Sequence, residues 1–265
     1  MSDQPDPAEA AAWAYKGLHV DALFRQWVEP VLGAAGVTTG HRLLDVACGT
    51  GVVAREALGR VGPTGAVTGL DSGPGMLAVA ETIEQGVTWT EGDAGDLPFA
   101  ADEFDAVVSQ FGLMFFPDRV RAIREMLRCA NPGGPVVVAV WEALDRSEAY
   151  PISVDLLNRL AGPAAADALR APFVLGDTDE LRTMFAEAGA STVSIDTQHG
   201  TARFPSVRTM VEADLRGWLP VMGVFLDDEV IEQILADAEV AMSSYVTDGG
   251  QMVFDAPAHI VTARA

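Results

Sequence analysis

The chain has 265 residues, 49% of them hydrophobic, which suits one large domain with a sizeable core. Its 38 acids against 17 bases give a formal net charge of -21, so its surface repels phosphate backbones and anionic lipid headgroups, and nucleic-acid substrates are disfavoured. No window approaches the roughly eighteen uninterrupted apolar residues of a membrane span. The N-terminus MSDQPDPAEAAAWAYKG lacks the basic start and apolar run of a signal peptide. Cys48 and Cys129 read as two reduced thiols, no cysteine or histidine pair has metal-ligand spacing, and a cytoplasmic location without a metal is expected.

Along the chain, residues 8–16 and 19–35 have helical patterns, with Leu23, Phe24, Trp27, Val28 and Val31 at spacings of three and four. Strands and helices then alternate. Strands are expected at 42–46, 66–70, 87–91, 105–110 and 135–141, and helices from the first glycine turn to about 60, at 74–84 and at 119–129. Residues 131–134, NPGG, form a turn. After Trp141 the pattern changes: 142–176 is helical and irregular, and 177–190 is a helix capped by Asp177 or Thr178 and ended by Gly189. A sixth strand is expected at 191–198, a mostly helical segment at 205–247, and a final strand at 259–263. Continuous apolar strands alternating with amphipathic helices give an α/β, doubly wound, mostly parallel sheet, whose ligands bind at the carboxyl ends of its strands.

The first turn, LLDVACGTGVVAREA at 43–57, admits two readings. GTGVVA at 49–54 matches G-x-G-x-x-A, a dinucleotide fingerprint, with Asp71 about twenty residues beyond. Read from Asp45 to Gly51, it is D-x-A-x-G-x-G. Three further blocks follow at strand ends: GLDSGPGML at 69–77, GDAGDLPF at 92–99 and DAVVSQFGLMFFPD at 105–118. The four blocks in this order resemble the class I S-adenosylmethionine-dependent methyltransferases, and within them the ubiquinone/menaquinone-type small-molecule branch. The likeness is strong over about 40–141 and looser over 177–265, and Ala47 stands where the family has its first glycine.

The resemblance implies a seven-stranded Rossmann-like sheet whose last strand is antiparallel, and S-adenosyl-L-methionine as cofactor. The glycines, Gly49 among them, then let the backbone approach the methionine part of the cofactor. Carbonyls near Ala47 and near Ser109 or Gln110 meet its ammonium, and Asp45 orients the turn from behind. The resemblance assigns Asp71 to the ribose, Ser72 and Met76 to the adenine face, Asp93 to the exocyclic amine, and the Ala94 amide to the ring nitrogen. It also implies an N-terminal helical lid over 1–36 and, within 37–265, helical cap insertions at about 142–176 and 205–247. Plainer roles stand beside these: Gly51 permits close helix packing, Met76 is core, Cys48 is a small filler, and Asp96 and Asp102 are solvated loop charges.

Lid and caps carry Trp13, Tyr15, Phe24, Trp27, Phe173, Trp218, Met222 and Phe225, which makes a small, largely apolar or aromatic acceptor molecule the expected partner. His19 and Tyr15 are the candidate catalytic residues, with His199 and Glu142 as further options, while His41 and His259 are assigned to structure. A mechanism of positioning alone, with no base, stays open. The competing functions are an NAD-type oxidoreductase, a non-catalytic cofactor-binding module, and an RNA methyltransferase, the last disfavoured by charge.

Overall fold

The computed structural model describes residues 7–265. Helix α1 (Pro7–Tyr15) runs into a π-helical stretch, Lys16–Phe24, a 3-10 turn, Arg25–Trp27, and α2 (Val28–Ala34). The alternating part follows as β1 (Arg42–Val46), α3 (Val52–Val61), β2 (Ala66–Asp71), α4 (Pro74–Ile83), β3 (Thr88–Glu91), β4 (Ala106–Gln110), α5 (Arg119–Cys129) and β5 (Pro135–Trp141). Beyond it come α6 (Tyr150–Leu160), α7 (Pro163–Arg170), α8 (Thr178–Glu187), β6 (Thr192–Phe204), α9 (Val207–Glu212), a second π-helical stretch, Ala213–Trp218, α10 (Leu219–Val221), α11 (Asp228–Ala241) and β7 (Met252–Arg264). The first six residues of the expected N-terminal lid lie outside the described residues.

The seven strands form one sheet in the order β3-β2-β1-β4-β5-β7-β6. β7 runs antiparallel to both neighbours and the other pairings are parallel, so the expected fold class matches the structure. The central strands are buried on both faces, as PVVVAVW in β5 requires: Val136 to Val140 are fully enclosed. Strand order reverses between β1 and β4, and the crevice at such a switch point is where an open α/β sheet binds its ligand.

Two expectations about the elements are corrected. The helix expected over 19–35 is continuous but not uniformly wound, because its middle is tied to the sheet. Gly200 leaves room for the Trp27 ring, which would lie 2.4 Å from a Cβ there, and the Gln26 side chain accepts the Thr201 N–H at 2.7 Å. The last two strands are far longer than 191–198 and 259–263. β6 and β7 pair residue for residue from Thr192↔Arg264 to Phe204↔Met252, whereas β5 reaches only as far as Ala258. The remainder is a two-stranded ribbon whose buried face carries Ala202, Phe204, Met252, Phe254 and Ala256. Gly200, Asp255 and Pro257 are poor strand formers and mask that alternation in the sequence.

Candidate functional site

The carboxyl ends of β1 and β2 are joined by one side chain. Asp71, the last residue of β2, accepts the Gly49 N–H through Oδ2 and the Gly73 N–H through Oδ1, both at 2.8 Å. The turn after β1 is therefore clamped to the turn after β2. Burial raises the Asp71 pKa above the ordinary carboxylate value, against the pull of those amide donors. Asp45, one strand inward, accepts the Ala54 N–H at 3.1 Å and braces the start of α3. Burial, and secondly the Asp71 charge, push its pKa up to about 8, so it holds a proton at neutral pH.

Space at this turn is set by close approaches. Gly51 has φ +79 and abuts the Trp89 ring of β3, which a Cβ would meet at 2.3 Å, so it serves packing, as one of the two sequence readings holds. Gly49 faces open space: a Cβ there meets nothing within 4 Å. Ala47 adopts φ +57, a left-handed conformation in which a methyl group is strained. Its Cβ fits because Gly112 opposite has none, the two positions being 2.6 Å apart for a Cβ built on Gly112.

The other cofactor candidates gather along the same edge. Ser109 and Gln110 end β4, and Ala94 is buried after β3. Ser72 and Asp93 are exposed, Asp93 accepting the Gly95 N–H at 2.7 Å, and Met76 is half-buried on α4. Asp45 Oδ1, Ser109 Oγ and Gln110 Oε1 are buried without a hydrogen-bond partner among the described residues. Ser109 Oγ and Gln110 Oε1 can accept beside an open glycine turn, which fits a ligand that brings its own donors, as an amino acid ammonium does.

Beside this edge lies an aromatic cavity of about 530 Å³, counting its mouth. Three chain segments wall it. Tyr15, His19 and Phe24 come from the N-terminal segment, Tyr150, Leu169 and Phe173 from α6, α7 and the turn beyond, and Asp214 and Trp218 from the second π-helical stretch. Phe111 and Trp141, at the ends of β4 and β5, form the floor, stacked at 3.8 Å between ring centroids. The Trp218 Nε1–H donates to the Ala168 carbonyl at 2.9 Å and so ties the two cap segments together.

His19 and Tyr15, chosen from sequence, are thus brought together, their rings stacked at 5.7 Å, and both line the cavity. His199 is not there. It lies on the exposed ribbon, paired with Asp255 at 2.6 Å, because β6 continues past the point where it was expected to end. Glu142 also lies outside the cavity, 3.9 Å from Arg146. His259 is buried between the Thr197 hydroxyl and the Gly176 carbonyl, and His41 contacts Thr38. Of the cap aromatics, Trp27 is packed against Phe111 and Trp141 rather than exposed to the cavity, and Phe225 is 78% exposed and outside it. Sequence reasoning missed Asp214 and Tyr150. The signal for Asp214 was an acid flanked by Val211, Ala213 and Leu215, on what proves a buried face. Among the described residues no helix is long and apolar enough to cross a membrane, and no group of three His, Cys, Asp or Glu residues is placed to hold a metal ion.

An open parallel sheet with a clamped glycine turn at its switch point defines a nucleotide-type ligand-binding α/β protein. Residues 44–138, about a third of the chain, match the family model described as a methyltransferase domain, and the seven-strand order above is that of the class I methyltransferase fold. It is 40% identical over 149 residues to the chloroplastic 2-phytyl-1,4-beta-naphthoquinone methyltransferase of Arabidopsis thaliana, covering 53% of this chain and 57% of that protein. It is 42% identical over 114 residues to a demethylmenaquinone methyltransferase of Staphylococcus aureus, covering 42% and 47%. The matches span about half the length of these relatives. The crystal structure of the YcgJ protein from Bacillus subtilis superposes with a TM-score of 0.61 at 19% identity, over 91% of this chain and 99% of that one.

Proposed function

We propose that this protein binds S-adenosyl-L-methionine at the carboxyl ends of β1 to β4 and methylates a small, largely apolar molecule held in the aromatic cavity. The observation that carries the reading is adjacency: a turn with buried polar atoms left unpartnered opens next to an aromatic pocket. Asp45 braces the turn, Gly49 gives backbone access, and carbonyls near Ala47 and Ser109 or Gln110 meet the ammonium. Asp71, with a lone pair left on each oxygen, takes the ribose hydroxyls. Ser72 and Met76 flank the adenine, with Asp93 and the Ala94 amide at its edge. The bound cofactor supplies a methyl group already activated on a positively charged sulfur. The chain's own work is to align the acceptor and exclude water.

The N-terminal segment, 142–176 and 205–247 serve as lid and caps, and His19 and Tyr15 face the reacting end of the acceptor. The two relatives are named for naphthoquinone and menaquinone chemistry, and a ring of that kind suits walls of Phe and Trp. A charge of -21 and a pocket walled by aromatic side chains favour a small molecule over a nucleic acid, at a cytoplasmic location. Calorimetry with S-adenosylhomocysteine and with NAD tests the cofactor, and binding of NAD alone overturns the reading. A methyl-donor consumption screen over phenols, quinols, polyketides, lipophilic amines, tRNA and peptides tests the acceptor. Turnover confined to tRNA or a protein sinks it.

A further inference from the structure

The two π-helical stretches, Lys16–Phe24 and Ala213–Trp218, touch each other inside the cavity wall. π-Helical turns are rare and concentrate at functional sites. Each of these contributes one ionisable side chain, His19 and Asp214, 195 positions apart in the chain. Their Nε2 and Oδ1 atoms are 3.4 Å apart, and the residues are only 5% and 3% exposed. Gly217 lies against the imidazole, where a Cβ would sit 3.5 Å from Cε1.

A buried acid and a buried histidine in an aromatic wall are costly unless they serve each other or a ligand. Here they half-serve each other. His19 Nδ1 and Asp214 Oδ2 have no hydrogen-bond partner among the described residues, and both residues line the cavity. With Asp214 accepting from Nε2–H, the ring carries its proton on Nε2 and offers a bare lone pair at Nδ1. That is the arrangement in which an aspartate holds an imidazole in one tautomer and stabilises the imidazolium it becomes.

We infer that His19, positioned by Asp214, accepts a proton from the substrate, and that the acceptor molecule carries a phenolic or enolic hydroxyl. The inference rests on the methyltransferase reading above. Among the described residues, the other titratable groups lining the cavity with the pair are Tyr15, stacked on His19, and Tyr150, which senses the Asp214 charge. Burial keeps both tyrosine hydroxyls protonated, with Asp71 adding to the effect on Tyr15, so neither competes as a base. A neutral amine acceptor already presents its lone pair and gives a histidine little to do. A hydroxyl must first lose its proton to become a strong nucleophile in an apolar pocket. The O–H bond breaks as an N–H bond forms at Nδ1. The pair left on oxygen, or on the ring carbon conjugated with it, makes the bond to the methyl carbon, and the C–S pair returns to sulfur. The imidazolium then carries the single positive charge the sulfonium brought in, and releases its proton to water afterwards.

The test uses 4-nitrophenol, whose phenolate is yellow and whose phenol is colourless, at a pH where the free compound is mostly phenol. Wild-type protein is expected to bind it and raise its ionised fraction about tenfold over the His19→Gln and Asp214→Asn variants, which corresponds to one pK unit for the bound phenol. Both variants should bind S-adenosylhomocysteine with wild-type affinity, which also checks their folding. Bound probe that stays colourless in the wild type, colour that persists in both variants, or failure of the probe to bind each overturns the inference. If S-adenosylhomocysteine itself fails to bind the wild type, the methyltransferase reading falls first and separately.

Discussion

The turn at the strand ends and the cavity beside it are built in opposite ways. The turn is made of neighbours: Asp45 to Gly51 and Gly69 to Gly73 lie on adjacent strands, and its key bonds run from one carboxylate to backbone amides. The cavity is made of strangers. Its polar pair comes from opposite ends of the chain, and its walls come from three segments held by side-chain packing and the Trp218–Ala168 bond. Backbone-held sites are stiff and couple ligand binding to folding. Sites assembled from insertions can change their ligand while the sheet stays as it is.

If that contrast is right, damage to the turn should strike cofactor affinity and stability together. Asp71→Ala removes both amide clamps and the proposed ribose contact. It should weaken S-adenosylhomocysteine binding by about 3 kcal/mol, roughly a hundredfold, and lower Tm by several degrees, since hydrogen bonds to charged groups are each worth about 1.5–3 kcal/mol. Calorimetry and thermal melts on the same sample check both. An unchanged Tm with lost affinity would mean that the clamp adds nothing to the fold and Asp71 serves the ligand alone.

This contrast also explains what the sequence revealed. The turn was legible because its parts sit within a few residues of one another, at spacings the backbone imposes. β5 was legible because a strand buried on both faces must be apolar throughout. The pairing of His19 with Asp214 was not legible, since no local pattern encodes contact across 195 positions. The β6–β7 ribbon was hidden for a related reason. Its outer half is stabilised by pairing with its partner and by Phe204 on Phe254, rings 6.3 Å apart, and local propensity at Gly200 and Pro257 points the other way. Asp71 was legible as important. That it clamps two turns, and so matters to folding, needed the structure.

Damage to the cavity should leave the cofactor alone. Trp218→Ala deletes one wall, the contact with Phe115 at 5.1 Å and the bond to Ala168. The acceptor KM should rise about tenfold, roughly 1.4 kcal/mol, with S-adenosylhomocysteine affinity within a factor of two. Phe225→Ala is the control. Exposed and outside the cavity, it should change neither quantity. A Trp218→Ala protein with weakened cofactor binding would show that the two regions are mechanically one.

The protonated Asp45 sharpens the same distinction through pH. Its carboxyl sits at about 8 in the folded protein against 3.8 as a free side chain. The folded state therefore holds a proton that the unfolded chain has lost, and stability contributed by this group is full below about pH 4 and falls as pH rises towards 8. Asp71 and Asp214 shift in the same direction, so a single variant is needed to isolate one share. Asp45→Asn keeps an acceptor for the Ala54 N–H and cannot ionise. Its Tm should fall less than the wild type's between pH 5 and 8, by the equivalent of about 3 kcal/mol. Parallel Tm curves would place the Asp45 proton elsewhere.

The smallest effect expected is at Ala47, and it asks whether the turn is strained in its own right. At φ +57 a methyl group crowds the following carbonyl, at a cost of about 1 kcal/mol that glycine avoids. Glycine, however, gives the unfolded chain more freedom to lose, which returns part of that gain. The Ala47 methyl also fills the space opposite Gly112, so its removal leaves a small gap. The three effects sum to a net stabilisation of Ala47→Gly below about 1 kcal/mol, or a rise in Tm of a few degrees at most. Cofactor affinity should be unchanged, because the backbone path to the ligand stays the same. The reciprocal change separates strain from packing. Gly112→Ala brings a second methyl to within 2.6 Å of the first and should destabilise the wild type, yet be tolerated better in the Ala47→Gly background, where the opposing Cβ is gone. Equal destabilisation in both backgrounds would show that Gly112 is required by its other neighbours, the Ser109 hydroxyl at 3.1 Å and the Phe116 ring at 3.4 Å, and that the fit of Ala47 depends on something else.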